Sequence, residues 1–532
     1  MEESSMSAAE GSNDAEVFVY TGEGGIDVPR DVFRARVDPS VMSIPTNAFF
    51  GRKKLAEVEL CEGLVEIGEY SFTHCDRSIT NINIPNSLRR IRDGAFYNSL
   101  RTPIRLHDGI AVIGEGAFGA CIFTNFRVPP LITVIPDAML YGCRATFSLE
   151  LPVNVREIGN HAFSYCCCLR NVAFPLNAVI DDNIFGDIHE EEEEEDDEMD
   201  KPTDLQLLFG NSNAAIMREL QHRFDGLPIH QLVYYMSYYQ GVLQILIAAM
   251  NMRSGQSRTL RSKLDPTGNH QDCLGMTPLH ILACSSVHDI EVYCLIVEKY
   301  PTNLITEDSW GALPLLYAFW GAAPAEIIQF LRASYQSLYP DHVFNWTMMV
   351  ETMGRCDTPK ERIENLLHVK KMHFPDQPIN WGYLLDKFAR HSHYSFGGAP
   401  FQERMQFLVM CGMSEHVEAL PFKVWRVHIT NMIHTANFEY NGDNTAILHR
   451  IRDKLVYFED ELPRLKEATT ILELALWKMK IYDHCLEENT IRSQKKFKTD
   501  ESDIRQQCRV KCGADVIIQH VLLFIVSAED EE

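Results

Sequence analysis

Cysteine returns in phase along the first third of the chain. Cys75, Cys121, Cys143 and Cys166 occupy equivalent places, and Cys167 and Cys168 follow the last of them directly. Thiolates bind soft metals and exchange disulfides, so such a row invites a metal or redox reading. If the copies stack as strands ~4.8 Å apart, neighbouring rungs come within disulfide reach. The competing reading is a small residue that fills a tight corner, which free cysteine does well. Ser99 interrupts the row and no histidine or acid recurs in phase with it, which favours the second reading. Cys167 and Cys168 then have no repeat-defined job.

Other spacings raise chemical questions of their own. His280, Cys284 and His288 stand at i, i+4 and i+8, one face of a helix that runs so far, and a spacing that suits zinc. His391 and His393 lie in the polar stretch RHSHYSFGGAP, and Cys508 and Cys512 lack a second ligand pair. The string IGEGAFGAC places Gly114, Gly116 and Gly119 in the G-x-G-x-x-G spacing of a phosphate-cradling loop. No kinase lysine, H-R-D or D-F-G string follows it, and no later ribose-binding acid. G-x-S-x-G, H-E-x-x-H and G-x-x-x-x-G-K-[ST] do not occur. The expectation is therefore no catalytic, cofactor-binding or metal site.

What positions these residues is a repeat. Isoleucine recurs at 44, 67, 91, 113, 135, 158 and 180, spaced by 22 to 24 residues. A large apolar residue follows each by five: Phe49, Phe72, Phe96, Phe118, Leu140, Phe163 and Phe185. Before most of the isoleucines runs a short alternating segment that ends near proline, such as SITNINIP and CLRNVAFP. Period-two alternation predicts a strand with one buried face, and proline ends it because it has no N–H to donate. One such unit buries too little to offset its ordering entropy, so copies must stack into a solenoid. The units resemble leucine-rich repeats of the BspA-like type, whose pattern is I-G-x-x-A-F-x-x-C-x-x-L. The resemblance implies a curved solenoid over 30–188 with a parallel sheet on one face, and protein binding as its use. Pro136 and Leu140 depart from the pattern in one unit.

Further on the period changes. The segments 225–235, 274–284 and 310–320 share Gly, then Pro, then an apolar helix start, and each is followed by a second apolar helix. Proline fits a helix's first turn because that N–H has no intrahelical partner. Thr277-Pro278-Leu279-His280, with Asp272 and Gly275, resembles the T-P-L-H of ankyrin repeats, which implies a structural hydrogen-bonding role for His280 and ankyrin-like helical repeats over 204–350. From 351 to 527 no period is legible, although 444–462 and 468–481 read as amphipathic helices. The whole order resembles repeat proteins encoded by diatoms and other protists, which carry no known catalytic residues to transfer. The fold class is thus a leucine-rich-repeat solenoid followed by an all-α ankyrin-like and helical region. A tail and cap cover 1–29, and an acidic linker covers 189–203.

Charge and composition narrow the function. The net charge is −25, and nine consecutive acids occupy 190–198. Phosphate backbones and anionic lipid surfaces are repelled by such a chain, so neither nucleic acid nor membrane is an expected partner. The acidic run reads as a linker, or as a docking tail for a basic partner. The N-terminus has no basic-then-apolar leader pattern, so the expected location is intracellular and cytoplasmic, with the nucleus as a further option. The chain's fifteen cysteines are then expected mostly as free thiols.

Binding is expected at outward strand positions. They pair as Arg34/Arg36, Glu57/Glu59, Asn81/Asn83, Pro103/Arg105, Asn125/Arg127, Ser148/Glu150 and Asn171/Ala173. These pairs would line the sheet face and meet a protein partner. The competing reading is a solvated face on which Arg34 and Arg36 pair with Glu57 and Glu59. The function that follows is an intracellular, non-enzymatic interaction scaffold. The alternative is an enzyme or enzyme subunit with its site in 351–527.

Overall fold

The computed structural model describes residues 17–22, 28–186, 202–251, 266–356, 358–390, 400–415, 422–435 and 444–457. The acidic run, the 391–399 stretch, Cys508, Cys512 and the 468–481 segment lie outside them. The chain divides into two compact units. One comprises Met1–Val343 with Cys356–Arg362, and the other Phe344–Arg355 with Ile363–Glu532.

The first unit begins with a solenoid of parallel strands. Val17–Tyr20, Arg34–Val37, Glu57–Glu59 and Asn81–Ile82 pair in that order to make the main sheet. Its register sets Arg34 beside Glu57 and Glu57 beside Asn81. Residues 103–105 add no strand, and the sheet resumes as Asn125–Arg127 paired with Ser148–Glu150. Pro103 lies at this gap and has no N–H for a ladder. Asn171 adds a single bridge to Ser148. The expected face of seven strand pairs is therefore broken once and thins at its end.

A second narrow sheet, which alternation did not predict, runs through the isoleucines. Ser43–Ile44, Glu66–Ile67, Arg90–Ile91 and Val112–Ile113 pair in order, and then Val134–Ile135, Glu157–Ile158 and Val179–Ile180. The residue after each isoleucine donates its N–H to the previous isoleucine's carbonyl: Gly68 to Ile44, Arg92 to Ile67, Gly114 to Ile91, Gly159 to Ile135 and Asp181 to Ile158. At the break that residue is Pro136, which has no proton to give. The departure from the repeat pattern is also the break in the sheet.

Inside, the +5 residues form a ring ladder. Phe49, Phe72, Phe96 and Phe118 stack nearly parallel, with centroids 4.8, 5.3 and 5.8 Å apart. Each stacked pair adds about 0.5–1.5 kcal/mol beyond area burial. Leu140 ends the stack, and Phe123 and Phe126 pack against Phe118 instead.

The helical part of this unit is built from pairs. Pro228–Tyr234 precedes Val242–Asn251, Pro278–Cys284 precedes Ile290–Lys299, and Pro314–Trp320 precedes Ala325–Leu338. Proline opens each first helix. Before the last two pairs an aspartate closes the same turn. Asp272 Oδ1 accepts the N–H groups of Leu274 and Met276, and Asp308 Oδ1 those of Trp310 and Ala312. His280 takes the Thr277 N–H on Nδ1 (3.2 Å) and donates Nε2–H to the Ala312 carbonyl (3.0 Å).

The second unit is helical in its described residues. It includes Trp346–Arg355, Trp381–Arg390, Phe401–Glu415 and Phe422–Thr435, with most of Lys360–His373. Phe344, Trp346 and Phe374 cluster in its core, where Trp346 Nε1–H donates to Gln377 Oε1 (2.6 Å). Residues 444–457 are helical and bury Leu448, Ile451 and Leu455.

Candidate functional site

The thiol row is a hydrogen-bonded wall. Each thiol donates to the carbonyl of the previous turn's ladder residue: Cys75 to Phe49 (3.5 Å), Cys121 to Phe96 (3.0 Å), Cys143 to Phe118 (3.1 Å) and Cys166 to Leu140 (3.2 Å). Ser99 does the same to Phe72 through its hydroxyl. Serine therefore continues the row, and the position asks for a small donor. Burial pushes Cys75 and Cys121 up to about 11, and holds Cys143 and Cys166 well above the ordinary thiol range. These groups stay protonated, so they are poor nucleophiles and poor ligands. Cys167 donates to the Arg144 carbonyl at 3.6 Å and lies 3.9 Å from the Cys168 sulfur.

The glycine spacing 114, 116, 119 has three local causes. A Cβ on Gly114 would collide with Asp93 of the turn before, whose Oδ1 accepts the Glu115 N–H. Gly116 sits at φ +59°, and the ring of Tyr97 lies across Gly119. Three separate jobs in one solenoid turn leave no phosphate cradle. Nor do His280, Cys284 and His288 share a helix face. The helix ends at Cys284, and Ser285 is extended. Both nitrogens of His280 are committed, and burial pushes the ring below its usual range. His288 faces Tyr293 OH at 2.8 Å. Among the described residues no group of three or more His, Cys, Asp or Glu could hold a metal ion.

The outward pairs on the main sheet split into two populations. At the N-terminal end they are solvated. Arg34 meets Glu57 at 2.8 Å and Arg36 meets Glu59 at 2.6 Å, with the Arg36 and Glu59 side chains about half exposed. Asn83 is tied to the Leu60 backbone through both its oxygen and its nitrogen, and Asn81 is exposed. Arg105 is exposed at the margin, close enough to His288 to help burial lower that imidazole to about 4.

The C-terminal pairs are occupied by the chain's own helices. Asn125 Nδ2 donates to the Ser285 carbonyl (3.4 Å). Arg127 donates to the Ser237 carbonyl (3.2 Å), stacks 4.5 Å from the Tyr238 ring centroid, and pairs with Asp108 at 2.8 Å. Glu150, 2% exposed, accepts the Ser286 N–H (2.6 Å) and hydroxyl (3.1 Å). Asn171, 1% exposed, donates to Ser148 Oγ (3.0 Å). Glu150 and Asn171 are thus buried and Asn125 and Arg127 half-buried, with residues far along the same chain holding Asn125, Arg127 and Glu150.

Two tyrosines fasten this cover. Tyr234 OH donates to the Leu149 carbonyl (2.6 Å) and accepts the Ala173 N–H (3.1 Å) and Leu151 N–H (3.3 Å). It stands where a ladder bond between the last two turns would form. Tyr238 OH reaches the Val128 and Glu150 carbonyls at 3.0 and 2.9 Å. Two buried ion pairs complete the seam. Arg170 meets Asp204 and Arg223 meets Asp272, both at 2.7 Å, and Arg223 also donates to the Val172 carbonyl. Phe147 packs on Trp320 with centroids 4.3 Å apart. Sequence reasoning missed Tyr234, Tyr238, Arg170 and Arg223. The tyrosine-dense run YYMSYY over 234–239 was the available signal, since clustered tyrosines favour interfaces where one end must find a polar partner.

Residues 34–101 and 66–190 match the family model for the BspA type leucine rich repeat region, in six copies. Among the curated proteins no sequence matches. Among solved structures, a leucine-rich repeat protein from Bacteroides ovatus aligns with 32% identity over 27% of this chain and 38% of its own, with a TM-score of 0.27. A leucine-rich repeat protein from T. pallidum aligns with 26% identity over 26% of this chain and 67% of its own, with a TM-score of 0.25. The chain thus spans 38% of the length of the first of these. The leucine-rich-repeat assignment therefore rests on the family match and on the solenoid itself.

Proposed function

We propose that this protein is a non-enzymatic scaffold that binds a protein partner on the N-terminal half of its solenoid sheet. The observation that carries the reading is the split of one sheet face into an open half and a half already occupied by the chain. Leucine-rich repeats are generally interaction modules, and Arg34, Arg36, Glu57, Glu59, Asn81 and Asn83 are the outward residues left accessible to a partner. The exposed Val17 and Val19 of the first strand extend that surface. The paired helices after the solenoid act as a built-in clamp on the other half. Their proline starts and the Thr277–His280 bonds support an ankyrin-like kinship. An intracellular location is part of the proposal, supported by the described cysteines, which are unbridged thiols as a reducing compartment keeps them.

Proximity labelling with the full chain tests it. A partner recovered with the wild type should fall about tenfold with the Arg36→Ala, Glu59→Ala, Asn81→Ala variant. An unchanged partner set would contradict the assignment of the open half.

A further inference from the structure

On one flank of the solenoid the turns enclose a groove of about 440 Å³, away from the sheet-face residues. Phe50, Tyr70, His74 and Tyr97 line it together with Asp93 and Glu115. The solenoid buries most of its phenylalanines, yet Phe50 and Tyr70 stay exposed here. Their placement is built in. Phe50 and His74 meet edge to face at 5.7 Å, and so do His74 and Tyr97. Tyr70 rests on bare backbone at Gly94, where a Cβ would stand 2.5 Å from ring carbons. The volume falls within the range of ligand pockets.

The chemistry of the lining selects a cation. Ring faces carry negative charge, and a cation within about 6 Å of a ring centroid is attracted. The two carboxylates reinforce that sign. Asp93 uses Oδ1 on the Glu115 N–H, and the nearby Arg92 is held by Glu66 at 3.2 Å. Among the described residues neither Asp93 nor Glu115 forms an ion pair. The groove opens to solvent, so a side chain carried on another chain can enter. The net charge of −25 steers basic partners toward this protein. We infer that this flank docks a basic segment of a protein partner, whose lysine or arginine side chain inserts among these rings with Asp93 and Glu115 facing its charge. The surface shares no residue with the sheet-face reading, so either can fail alone.

A random dodecapeptide phage selection on the full chain tests it, with synthetic copies of the winners measured by fluorescence polarisation. The winners should carry a lysine or arginine whose replacement by norleucine weakens binding about tenfold. Tyr70→Ala should weaken it about tenfold and Tyr70→Phe should restore it, with unchanged thermal unfolding showing that both variants are folded. Glu115→Gln should weaken it roughly threefold at low salt. The inference is overturned if the selection yields no binder, if norleucine peptides bind equally, or if Tyr70→Ala leaves binding intact. Tetramethylammonium binding without any peptide winner would also overturn it, in favour of a small-cation site.

Discussion

The two halves of the main sheet present the same residue types and meet different fates. At the N-terminal half, Arg36 and Glu59 pair across neighbouring turns in water. At the C-terminal half, Arg127 and Glu150 also belong to neighbouring turns but bind the Ser237 carbonyl and the Ser286 turn later in the same chain. The difference lies in what arrives from later in the chain, namely the tyrosines of the 234–239 run and the Ser285–Ser286 turn. A repeat position defines a direction, outward from the sheet. Whether that direction meets solvent or protein is settled by non-local packing.

The contrast can be broken most strongly at the seam. Arg223→Met leaves the Asp272 Oδ2 oxygen buried without its guanidinium, and should cost about 3–5 kcal/mol in urea unfolding of the full chain. The same measurement on Arg36→Ala should show a loss of no more than about 1 kcal/mol, because that pair is exposed. Next comes Tyr234→Phe, which strips a buried hydroxyl from one carbonyl and two N–H groups. About 1–3 kcal/mol should be lost, with faster amide exchange at Leu151 and Ala173.

Glu150 provides a pH signature of the covered half. Burial, the largest influence on it, raises its pKa above the ordinary carboxylate value. Between the unfolded and folded values the native state holds the extra proton, so this group's contribution is complete below the unfolded pKa. It is lost as pH rises through the folded one. Glu150→Gln should flatten that decline in a pH series of unfolding midpoints. An identical slope in the variant would remove Glu150 from the seam. The smallest effect is expected inside the solenoid. Cys143→Ser keeps a donor for the Phe118 carbonyl, as Ser99 does for Phe72, while Cys143→Ala loses about 1 kcal/mol more.

Local rules carried the repeat well. The isoleucine and phenylalanine phases, the role of the cysteine position and the proline helix starts all follow from neighbours in sequence or from the adjacent turn. Pro136 was visible as a departure, and its consequence follows from one missing N–H. The second sheet was hidden because two-residue strands show no alternation. The fate of Asn125, Arg127, Glu150 and Asn171 was hidden for another reason. The partners of Asn125, Arg127 and Glu150 lie more than a hundred residues away, and polar residues that pair across an interface look like polar residues in water. The turn aspartates were half legible. Asp272 belongs to the segment that carries the T-P-L-H string, whereas Asp308 repeats its geometry in a segment whose neighbouring residues differ.

Peptide-resolved carboxylate labelling with a water-soluble carbodiimide, on the native wild-type chain, tests the split sheet most directly. Glu59 should be modified readily, and Glu150 should stay protected until the protein unfolds. Labelling of Glu150 at the rate of Glu59 in the folded protein would contradict the account, because it would mean that the helices do not cover that half of the sheet.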